Sequence, residues 1–551
     1  MSAAVPPAMK WWGWGDPART VELPAAALER LRAVIGGEAR SAAPVRLEDV
    51  RLAEPQLGAK ARAALVSAVG EEWLRDDRES RVLHAAGKGY PDLVRMRSGL
   101  APEAPDAVVY PESEQQVRAV LAACAQLEIA VVPFGGGTSV VGGVEPVRDG
   151  RRALVSLDLA LLNAVGELDQ RSRTIVLGPG LRGPQVEAAL AASGFTLGHF
   201  PQSFEYSTVG GWVATRSAGQ ASTGYGKIEE MVVGVRCATP SGEIELPPLP
   251  ASAAGPQLRE LLVGSEGVLG VITETTLRVR PRPRARRYEA WMFKSFPEGA
   301  ESLRALEQGG AAPDVARLSD EVETALSMQM AGEGAARRLG LAYLKARGYE
   351  GGCLAILGFE GEQSTVTRRR AQAARTLRWS GGLSLGTGPG KAWERQRYAG
   401  PYLRDALLDN CVMVETLETA AEWSRLMELY AAVAQAIRTA LEQRGTPALV
   451  ACHVSHLYPS GASLYFTFMA AQERGAELEQ WRAAKSAACD AITSSGGTIT
   501  HHHAVGRDHA GWLEREVGKL GVDLIRAAKQ RLDPAGIMNP GKLLPPEEGK
   551  Q

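Results

Sequence analysis

The first hundred residues have the apolar spacing of helices. Apolar side chains recur every three or four positions over residues 23–37 and 59–74, with arginine and glutamate between them. This spacing collects the apolar residues on one face of a helix. The pattern predicts a mostly helical N-terminal segment over residues 1–100.

Short apolar runs replace this spacing after residue 100. Residues 107–109, 129–132, 154–159 and 174–177 have the length and apolar character of buried strands. Behind the first run, Ser113 is a suitable N-cap for a helix whose apolar positions follow the 3.6-residue period. The pattern predicts a domain of strands and helices over residues 101–285.

Both patterns recur between residues 286 and 500. Residues 354–359 and 464–468 resemble strands, and residues 420–438 and 476–494 resemble helices. The mixture predicts an antiparallel sheet with helices on one side, which we interpret as a substrate-binding cap domain. The remaining residues, 501–551, form a histidine-containing segment that returns to the preceding domain. The predicted fold class is α+β.

Two stretches of this second half are ambiguous. Residues 278–284 alternate arginine and proline, which favours a solvated linker over a nucleic-acid patch because no aromatic residues are interleaved with them. Residues 328–347 combine methionine, leucine and tyrosine with arginine and lysine. They predict an amphipathic helix, with a mobile lid or a membrane-facing patch as the alternative.

Composition narrows the classes of protein. The 551 residues are 45% hydrophobic and 23% charged, and the formal net charge is -1, which excludes a general electrostatic attraction to nucleic acid or anionic membrane. No apolar run has the length of a membrane-spanning helix, and no signal segment opens the chain, so a cytoplasmic protein is expected. The six cysteines are far apart, which favours buried thiols over disulfides or a metal site.

The clearest local motif is a glycine-rich turn. Pro133, Phe134, Gly135, Gly136, Gly137, Thr138 and Ser139 follow the strand-like run 129–132. Glycines let the backbone approach a ligand closely, and successive N–H groups form a nest for a phosphate, to which two hydroxyls add donors. The loop lacks the lysine of a P-loop and the G-x-G-x-x-G spacing of a Rossmann turn. A tight hairpin is the alternative.

Two further glycine-rich segments follow in order. Residues 200–219 join two clusters of small residues through hydroxyl side chains, and residues 264–273 contain three glycines in seven positions. The three segments together resemble the FAD-binding domain of the vanillyl-alcohol oxidase family of flavoproteins. The resemblance implies a two-subdomain FAD-binding domain whose first loop wraps the pyrophosphate, and it implies non-covalent FAD because that loop has neither histidine nor cysteine.

The resemblance also implies the cofactor contacts outside the first loop. They are Gln202, Ser203, Tyr206, Ser207, Thr208, Thr215, Arg216, Ser217, Ala218, Glu266, Gly267, Val268, Leu269, Gly270, Val271 and Ile272.

A tryptophan cluster near the start points to one branch of this family. Lys10-Trp11-Trp12-Gly13-Trp14-Gly15 is predicted to anchor the N-terminus by hydrophobic contact, in preference to touching a ligand. The same residues resemble the opening of the alkylglycerone-phosphate synthase family.

Three adjacent histidines, His501, His502 and His503, are the sharpest chemical signal after the glycine loop. If they lie on a strand, alternation sends the middle ring to the opposite face, and no cluster of cysteine or glutamate lies nearby in the sequence, so no metal site is expected. Imidazoles in a pocket instead supply donors for a phosphate, or an acid and base near neutral pH. A surface run of histidines is the alternative.

Three more residues are candidates for the same site. Tyr465 lies in an apolar strand, where its phenol needs a hydrogen-bond partner and where the resemblance implies a catalytic acid or base. Arg404 can pair with Asp405 or Glu415, but the resemblance implies that its fork binds substrate phosphate or carboxylate. Arg317 is assigned to substrate binding by the same resemblance, with a structural salt bridge as the alternative.

The resemblance implies ether-lipid synthesis. The acyl group of acyl-dihydroxyacetone phosphate is exchanged for a long-chain fatty alcohol, without net redox change, while the flavin N5 traps the substrate carbon. Tyr465 is expected to move the proton, the histidines to support the site and Arg404 to hold the anionic group. We also expect a homodimer and peripheral contact with the inner face of a membrane.

The competing hypothesis is an FAD-linked dehydrogenase of D-2-hydroxy acids such as lactate or glycolate. Such enzymes have a Glu-His-Gly-Ile-Gly segment where this chain has His502-His503-Ala504-Val505-Gly506, which favours ether-lipid chemistry. A flavin-binding scaffold without activity is the third hypothesis. Ala504, where glycine is more usual, and Gln202, where an acidic residue often stands, are departures from the family pattern.

Overall fold

The computed structural model describes residues 6–38, 40–330 and 334–546. Its α-helices are α1 (Ala25–Ile35), α2 (Ala59–Val69), α3 (Arg78–Leu83), α4 (Tyr90–Arg97), α5 (Glu114–Gln126), α6 (Gly183–Ala191), α7 (Val209–Thr215), α8 (Ser222–Tyr225), α9 (Ile228–Met231), α10 (Leu258–Leu262), α11 (Phe296–Gln308), α12 (Glu321–Met330), α13 (Ala335–Ala346), α14 (Gln363–Trp379), α15 (Gly388–Gln396), α16 (Gly400–Asp409), α17 (Leu426–Glu442), α18 (Glu477–Ser494) and α19 (Leu513–Leu532).

Its strands are β1 (Arg51–Leu52), β2 (Leu74–Arg75), β3 (Leu100–Ala101), β4 (Ala107–Val109), β5 (Ala130–Phe134), β6 (Leu154–Asp158), β7 (Val165–Asp169), β8 (Thr174–Leu177), β9 (Phe195–Thr196), β10 (Val232–Thr239), β11 (Gly242–Leu246), β12 (Val271–Arg278), β13 (Arg280–Pro281), β14 (Ala285–Phe293), β15 (Val315–Ser319), β16 (Cys353–Gly361), β17 (Leu383–Gly386), β18 (Val412–Glu422), β19 (Ala448–Leu457) and β20 (Gly461–Ala471). The fold is α+β, as predicted.

The first half contains two sheets that carry the glycine-rich segments. One has the strand order β2-β4-β6-β5, with β4 and β5 parallel to β6. The other has the order β11-β10-β12-β8-β7 and is antiparallel. The glycine loop leaves the end of β5, and the residues 264–270 lead into β12. Each sheet therefore delivers one loop to a common edge.

A seven-stranded antiparallel sheet forms the cap. Its order is β17-β14-β16-β15-β19-β20-β18. Leu464, Phe466 and Phe468 of β20 join the core with apolar residues of α11, α14, α17 and α18. Side chains alternate along a strand, so Tyr465 points away from that core. The apolar face of the sheet supports the helices, and the opposite face is free for chemistry.

The N-terminal tryptophan segment is anchored as predicted. Trp14 packs with Met9 and Tyr402, and its backbone N–H donates to the Asp405 carboxylate at 3.0 Å. Lys10 donates to the same carboxylate at 3.1 Å. A side chain at Gly15, which has a φ of +76°, would overlap the Tyr402 ring. The segment therefore fixes helix α16 against the first half of the chain.

Several predicted elements differ from the structure. Residues 420–422 end β18 instead of starting a helix, and the following helix begins at Leu426. Residues 501–503 form a bend instead of a strand. Most of the arginine-proline stretch 278–284 is exposed, as a solvated linker should be, and Arg280 in β13 also donates to the carbonyls of α8.

The amphipathic stretch 328–347 spans parts of α12 and α13, while residues 331–333 fall outside the described residues. Within the described ranges, no helix combines the length and apolar character needed to cross a membrane.

Candidate active site

The glycine loop has the geometry of an anion cradle. Among the described residues, none accepts a hydrogen bond from the backbone N–H groups of residues 135–140. The Ser139 hydroxyl accepts from the Gly143 N–H at 2.9 Å and so shapes the turn. Side chains at Gly135 or Gly136 would overlap Thr208 or the Tyr206 carbonyl. The loop thus offers several free donors and has no room for a Cβ atom.

The second predicted flavin segment lies directly against this loop. The Thr208 hydroxyl caps α7 by accepting from the Gly211 N–H, and the Ser207 hydroxyl accepts from the Trp212 indole at 2.7 Å. The Ser217 hydroxyl lies 3.1 Å from the ring of His199. Three of the predicted contact hydroxyls therefore also hold the segment in shape.

The remaining predicted contacts of this segment have the following positions. Gln202 approaches Gly400 of the cap, and the Ser203 carbonyl accepts from the N–H groups of Tyr206 and Ser207. Tyr206 packs edge-on against Trp14, and the Thr215 hydroxyl donates to the Gly211 carbonyl within α7. Arg216 ends α7 in a left-handed conformation and pairs with Glu260, and Ala218 is buried.

The third segment closes the cradle. Glu266 has a φ of +54°, and its carboxylate accepts from the N–H groups of Val505 and Gly506 at 2.8 and 2.7 Å. Gly267 packs against Pro133. Val268 and Leu269 are buried, Gly270 abuts the carbonyl of residue 238, and Val271 and Ile272 open β12. Glu266 therefore joins the flavin segments to the histidine segment.

These features fit FAD. A pyrophosphate needs several N–H donors at close approach, which the residues 135–140 supply. Near this loop, the His84 ring lies 4.3 Å from the Phe134 ring. Its Nδ1 and Nε2 are engaged by the Ser80 carbonyl at 2.7 Å and by Asp158 at 2.9 Å. The sequence analysis missed His84, because a histidine among apolar residues at the end of a helix carries no local signal that distinguishes it from an ordinary buried histidine.

The catalytic candidates are brought together by strand register. Tyr465 in β20 is paired with Glu418 of β18 on one side and with His453 of β19 on the other. The His453 ring stacks on the Tyr465 ring at 4.9 Å. Tyr465 also lies 6.1 and 5.5 Å from the rings of His502 and His503. The predicted meeting of the tyrosine and the histidines is therefore present.

Glu418 organises the histidine segment. Its buried carboxylate accepts from the backbone N–H groups of His501, His502 and His503 at 2.6, 2.9 and 2.8 Å, and from the Thr500 hydroxyl at 2.8 Å. Burial alone would raise the pKa of a carboxyl, but the neighbouring imidazoles, and His502 above all, hold the pKa of Glu418 well below its usual range. An ionised side chain thus fixes the bend.

The bend turns His501 and His502 toward each other. Their Nδ1 atoms are 2.9 Å apart, and the Tyr458 hydroxyl lies 2.5 Å from the Nε2 of His501. The expectation of no metal rested partly on strand alternation, and that premise is wrong because residues 501–503 form a bend. Burial lowers the pKa of His501 well below its usual value and that of His503 to about 3, so both rings are neutral at neutral pH.

Arg317 and Arg404 differ in their surroundings. Arg317 pairs with Glu323 and donates to the Nε2 of His453 at 2.9 Å, while Glu323 accepts from the other ring nitrogen at 3.0 Å. The structural salt bridge is therefore present, and it orients the ring that stacks on Tyr465.

Arg404 has neither of the partners that the sequence suggested. Asp405 is taken by Lys10 and Trp14, and Glu415 accepts from the Trp481 indole at 2.7 Å. The buried Nε of Arg404 has no hydrogen-bond partner among the described residues. Burial dominates the pKa shifts of Tyr465 and His503, and the Arg404 charge lowers the pKa of both groups, so Arg404 lies within electrostatic range of them.

Two protein-family models match this chain. The model "FAD binding domain" matches residues 105–246, and the model "FAD linked oxidases, C-terminal domain" matches residues 282–543.

The chain is similar to alkyldihydroxyacetonephosphate synthases. It is 33% identical to the enzyme of Dictyostelium discoideum, over 98% of this chain and 93% of the relative. It is 34% identical to that of Trypanosoma brucei brucei, over 87% and 79%. A solved alkyldihydroxyacetonephosphate synthase structure superposes with a TM-score of 0.84 at 31% identity, covering 97% of this chain and 98% of the other. The chain belongs to the alkyldihydroxyacetonephosphate synthase family and is an FAD-dependent enzyme of this type.

Proposed function

We propose that this enzyme makes an ether lipid by exchanging the acyl chain of 1-acyl-dihydroxyacetone phosphate for a long-chain fatty alcohol. The products are alkyl-dihydroxyacetone phosphate and a fatty acid. The C–O bond to the departing carboxylate breaks, a C–O bond to the alcohol oxygen forms, and the alcohol proton leaves with the acid. The observation that carries the proposal is the buried Nε of Arg404, which has no hydrogen-bond partner among the described residues and lies within electrostatic range of Tyr465 and His503.

Arg404 is suited to the phosphate of the substrate. Arg404 is half-buried, a buried N–H without a partner is costly, and a phosphate supplies two oxygens for the planar fork of the guanidinium. Because Asp405 and Glu415 are engaged elsewhere, no internal carboxylate needs to be displaced first. The phosphate would therefore anchor the substrate with its reacting end toward Tyr465.

Tyr465 is suited to moving the proton. Burial raises the pKa of Tyr465 to about 12, so the phenol stays protonated at neutral pH and can donate to the departing carboxylate. The neutral imidazole of His503 lies near its ring, and its unprotonated nitrogen can accept a hydrogen bond. The stacked His453, held by Arg317 and Glu323, keeps the phenol in place.

FAD would be held non-covalently by the residues 135–140 and by the segments that contain Thr208 and Gly267. When bound, it supplies the electrophile for the substrate carbon. Both nitrogens of His84, whose ring lies 4.3 Å from that of Phe134, are already engaged, which supports non-covalent binding.

The test is an anaerobic assay of the purified yellow enzyme. Palmitoyl-dihydroxyacetone phosphate with hexadecanol should give alkyl product without an electron acceptor, and D-lactate should leave the flavin oxidised. Bleaching by D-lactate, with no ether product, would instead identify a D-2-hydroxy acid dehydrogenase.

Substitution of the phenol tests the role of Tyr465. We expect Tyr465→Phe to lower the turnover rate about 1,000-fold while FAD content is unchanged, as for loss of a general acid. Tyr430→Phe is the matched control, because Tyr430 is a cap tyrosine whose hydroxyl bonds to Asp320 at 3.1 Å. Equal rates in the two variants would exclude Tyr465 from proton transfer.

Contact with a membrane surface is part of the proposal, since both substrates are lipids. Helix α13 exposes Leu339, Leu341 and Tyr343, with exposed fractions of 72%, 41% and 48%. Arg338 and Lys345 are neighbouring basic residues on the same helix. Co-sedimentation with anionic liposomes should be strong for the wild type and weak for Leu339→Glu, whereas equal binding would exclude this helix.

A further inference from the structure

Three histidines from two parts of the cap sequence converge on one point. His456 lies at the end of β19, and His501 and His502 lie in the bend held by Glu418. Each offers a ring nitrogen, and these three nitrogens all lie within 4.8 Å of one another. Imidazole nitrogens bound tetrahedrally to one ion at about 2.0–2.1 Å lie roughly 3.3–3.4 Å apart, so small movements of the three side chains would bring these nitrogens to one ion.

The far nitrogens of two of these rings already have oxygen partners. The Ser222 hydroxyl bonds to Nδ1 of His456, and the Tyr458 hydroxyl lies 2.5 Å from Nε2 of His501. Metal-bound histidines characteristically use the second ring nitrogen in this way, which fixes the tautomer and the ring orientation. The other ring nitrogens, Nε2 of His456 and Nδ1 of His501, have no hydroxyl partner and remain for a metal ion.

The short distance between two of the imidazole nitrogens also favours a bound cation. Nδ1 of His501 and Nδ1 of His502 are 2.9 Å apart. Two such nitrogens attract each other only through a shared proton or a cation. The Glu418 carboxylate lies 3.3 Å from the Nδ1 of His502 and supplies a balancing negative charge. Lys227, which donates to the His501 carbonyl, is paired with Glu229 at 3.0 Å.

We propose that His456, His501 and His502 bind one divalent transition-metal ion of the zinc class. Three imidazoles with a fourth position for water or a substrate oxygen form the ligand set of open zinc sites. The His502 ring lies 6.1 Å from the Tyr465 ring, so the ion would lie within the site of the proposed function. Binding of the ion itself does not depend on that function and is measured without substrate.

The experiment uses the FAD-loaded enzyme. Metal is removed with a chelator, and the protein is then titrated with Zn²⁺ under competition and, separately, with Co²⁺, whose ligand-field bands report nitrogen coordination. We expect one ion per chain and at least tenfold weaker binding in His456→Gln. His509→Gln is the matched control, since His509 is a buried histidine whose Nδ1 bonds to the Ala504 carbonyl at 3.1 Å.

The outcomes separate cleanly. One ion per chain that is weakened in His456→Gln and retained in His509→Gln supports the site. Failure of the wild type to take up Zn²⁺ or Co²⁺, or equal uptake by His456→Gln, overturns it. If His456→Gln does not fold, the wild-type Co²⁺ spectrum decides, because bands without imidazole ligation also overturn the proposal. Ether synthesis by metal-free enzyme would leave the proposed function standing.

Discussion

Two loops that meet at the candidate site handle negative charge in opposite ways. In the glycine loop, the N–H groups of residues 135–140 find no acceptor among the described residues. In the histidine bend, all three N–H groups of residues 501–503 are given to one carboxylate, that of Glu418. The glycine loop has N–H groups available for an anion from outside the chain, whereas the N–H groups of the histidine bend already bind the Glu418 carboxylate.

The difference explains the composition of each loop. Where the ligand must approach the backbone, side chains are obstacles, so glycines replace them. Where an internal carboxylate satisfies the backbone, the side chains are free for chemistry, so imidazoles occupy every position. Glu266 joins the two loops. The residue after it, Gly267, packs against Pro133 at the start of the glycine loop, and the Glu266 carboxylate accepts from the N–H groups of Val505 and Gly506, which follow the histidine bend.

Removing the internal anion should have the largest effect. Glu418→Gln leaves the His501 N–H facing an amide donor, so we expect the free energy of unfolding to fall by about 3–4 kcal/mol. Glu415→Gln is the control, because Glu415 is equally buried in β18 but accepts from the neutral Trp481 indole. Equal losses in urea unfolding would show that charge at residue 418 is unimportant.

Blocking the cradle for the external anion should come next. Gly136→Ala puts a Cβ against the Tyr206 carbonyl, so we expect FAD affinity to fall at least about 100-fold, or about 2.7 kcal/mol. Gly340→Ala, in an open position of α13, should retain FAD. Flavin absorbance after gel filtration measures both, and full retention by Gly136→Ala would contradict the cradle.

A third carboxylate, Glu323, sharpens the comparison because its partner is a charged arginine. Burial opposes ionisation, but Arg317 and His453 lower the pKa of Glu323 to about 2 from 4.5. A carboxylate whose pKa is lower in the folded protein than in the unfolded chain stabilises the fold fully above the unfolded pKa. This stability is lost progressively as the pH falls from there through the folded pKa. Relative to Glu323→Gln, the wild type should lose about 2 kcal/mol between pH 7 and pH 3. A pH-independent difference in the free energy of unfolding would exclude this pairing.

The smallest effect concerns the residue after the histidines. Ala504 has a φ of +77°, a left-handed conformation that favours glycine and that explains why alanine is a departure there. Ala504→Gly should raise the free energy of unfolding by up to about 1 kcal/mol, since the relieved strain exceeds the added chain entropy. Thermal unfolding measures it, and a lower midpoint would show that the alanine is not strained.

The sequence by itself determined the flavin half of the site. Glycines at residues 135–137 and the hydroxyls near Thr208 act through backbone geometry, which is local and leaves a recognisable spacing. The α+β class and the anchoring of Trp14 could also be predicted, because apolar periodicity and large aromatic side chains report burial directly. Helix α5 and its Ser113 cap follow for the same reason.

Only the tertiary structure decided how the candidate catalytic side chains are arranged. Glu418, Tyr465 and His453 are side by side because of strand register, which joins positions far apart in sequence. The freedom of Arg404 depends on Lys10, almost 400 residues away, holding Asp405. Local patterns record how a segment packs and bends, but pairings between distant groups are set by the folded chain alone, so no motif within one segment contains them.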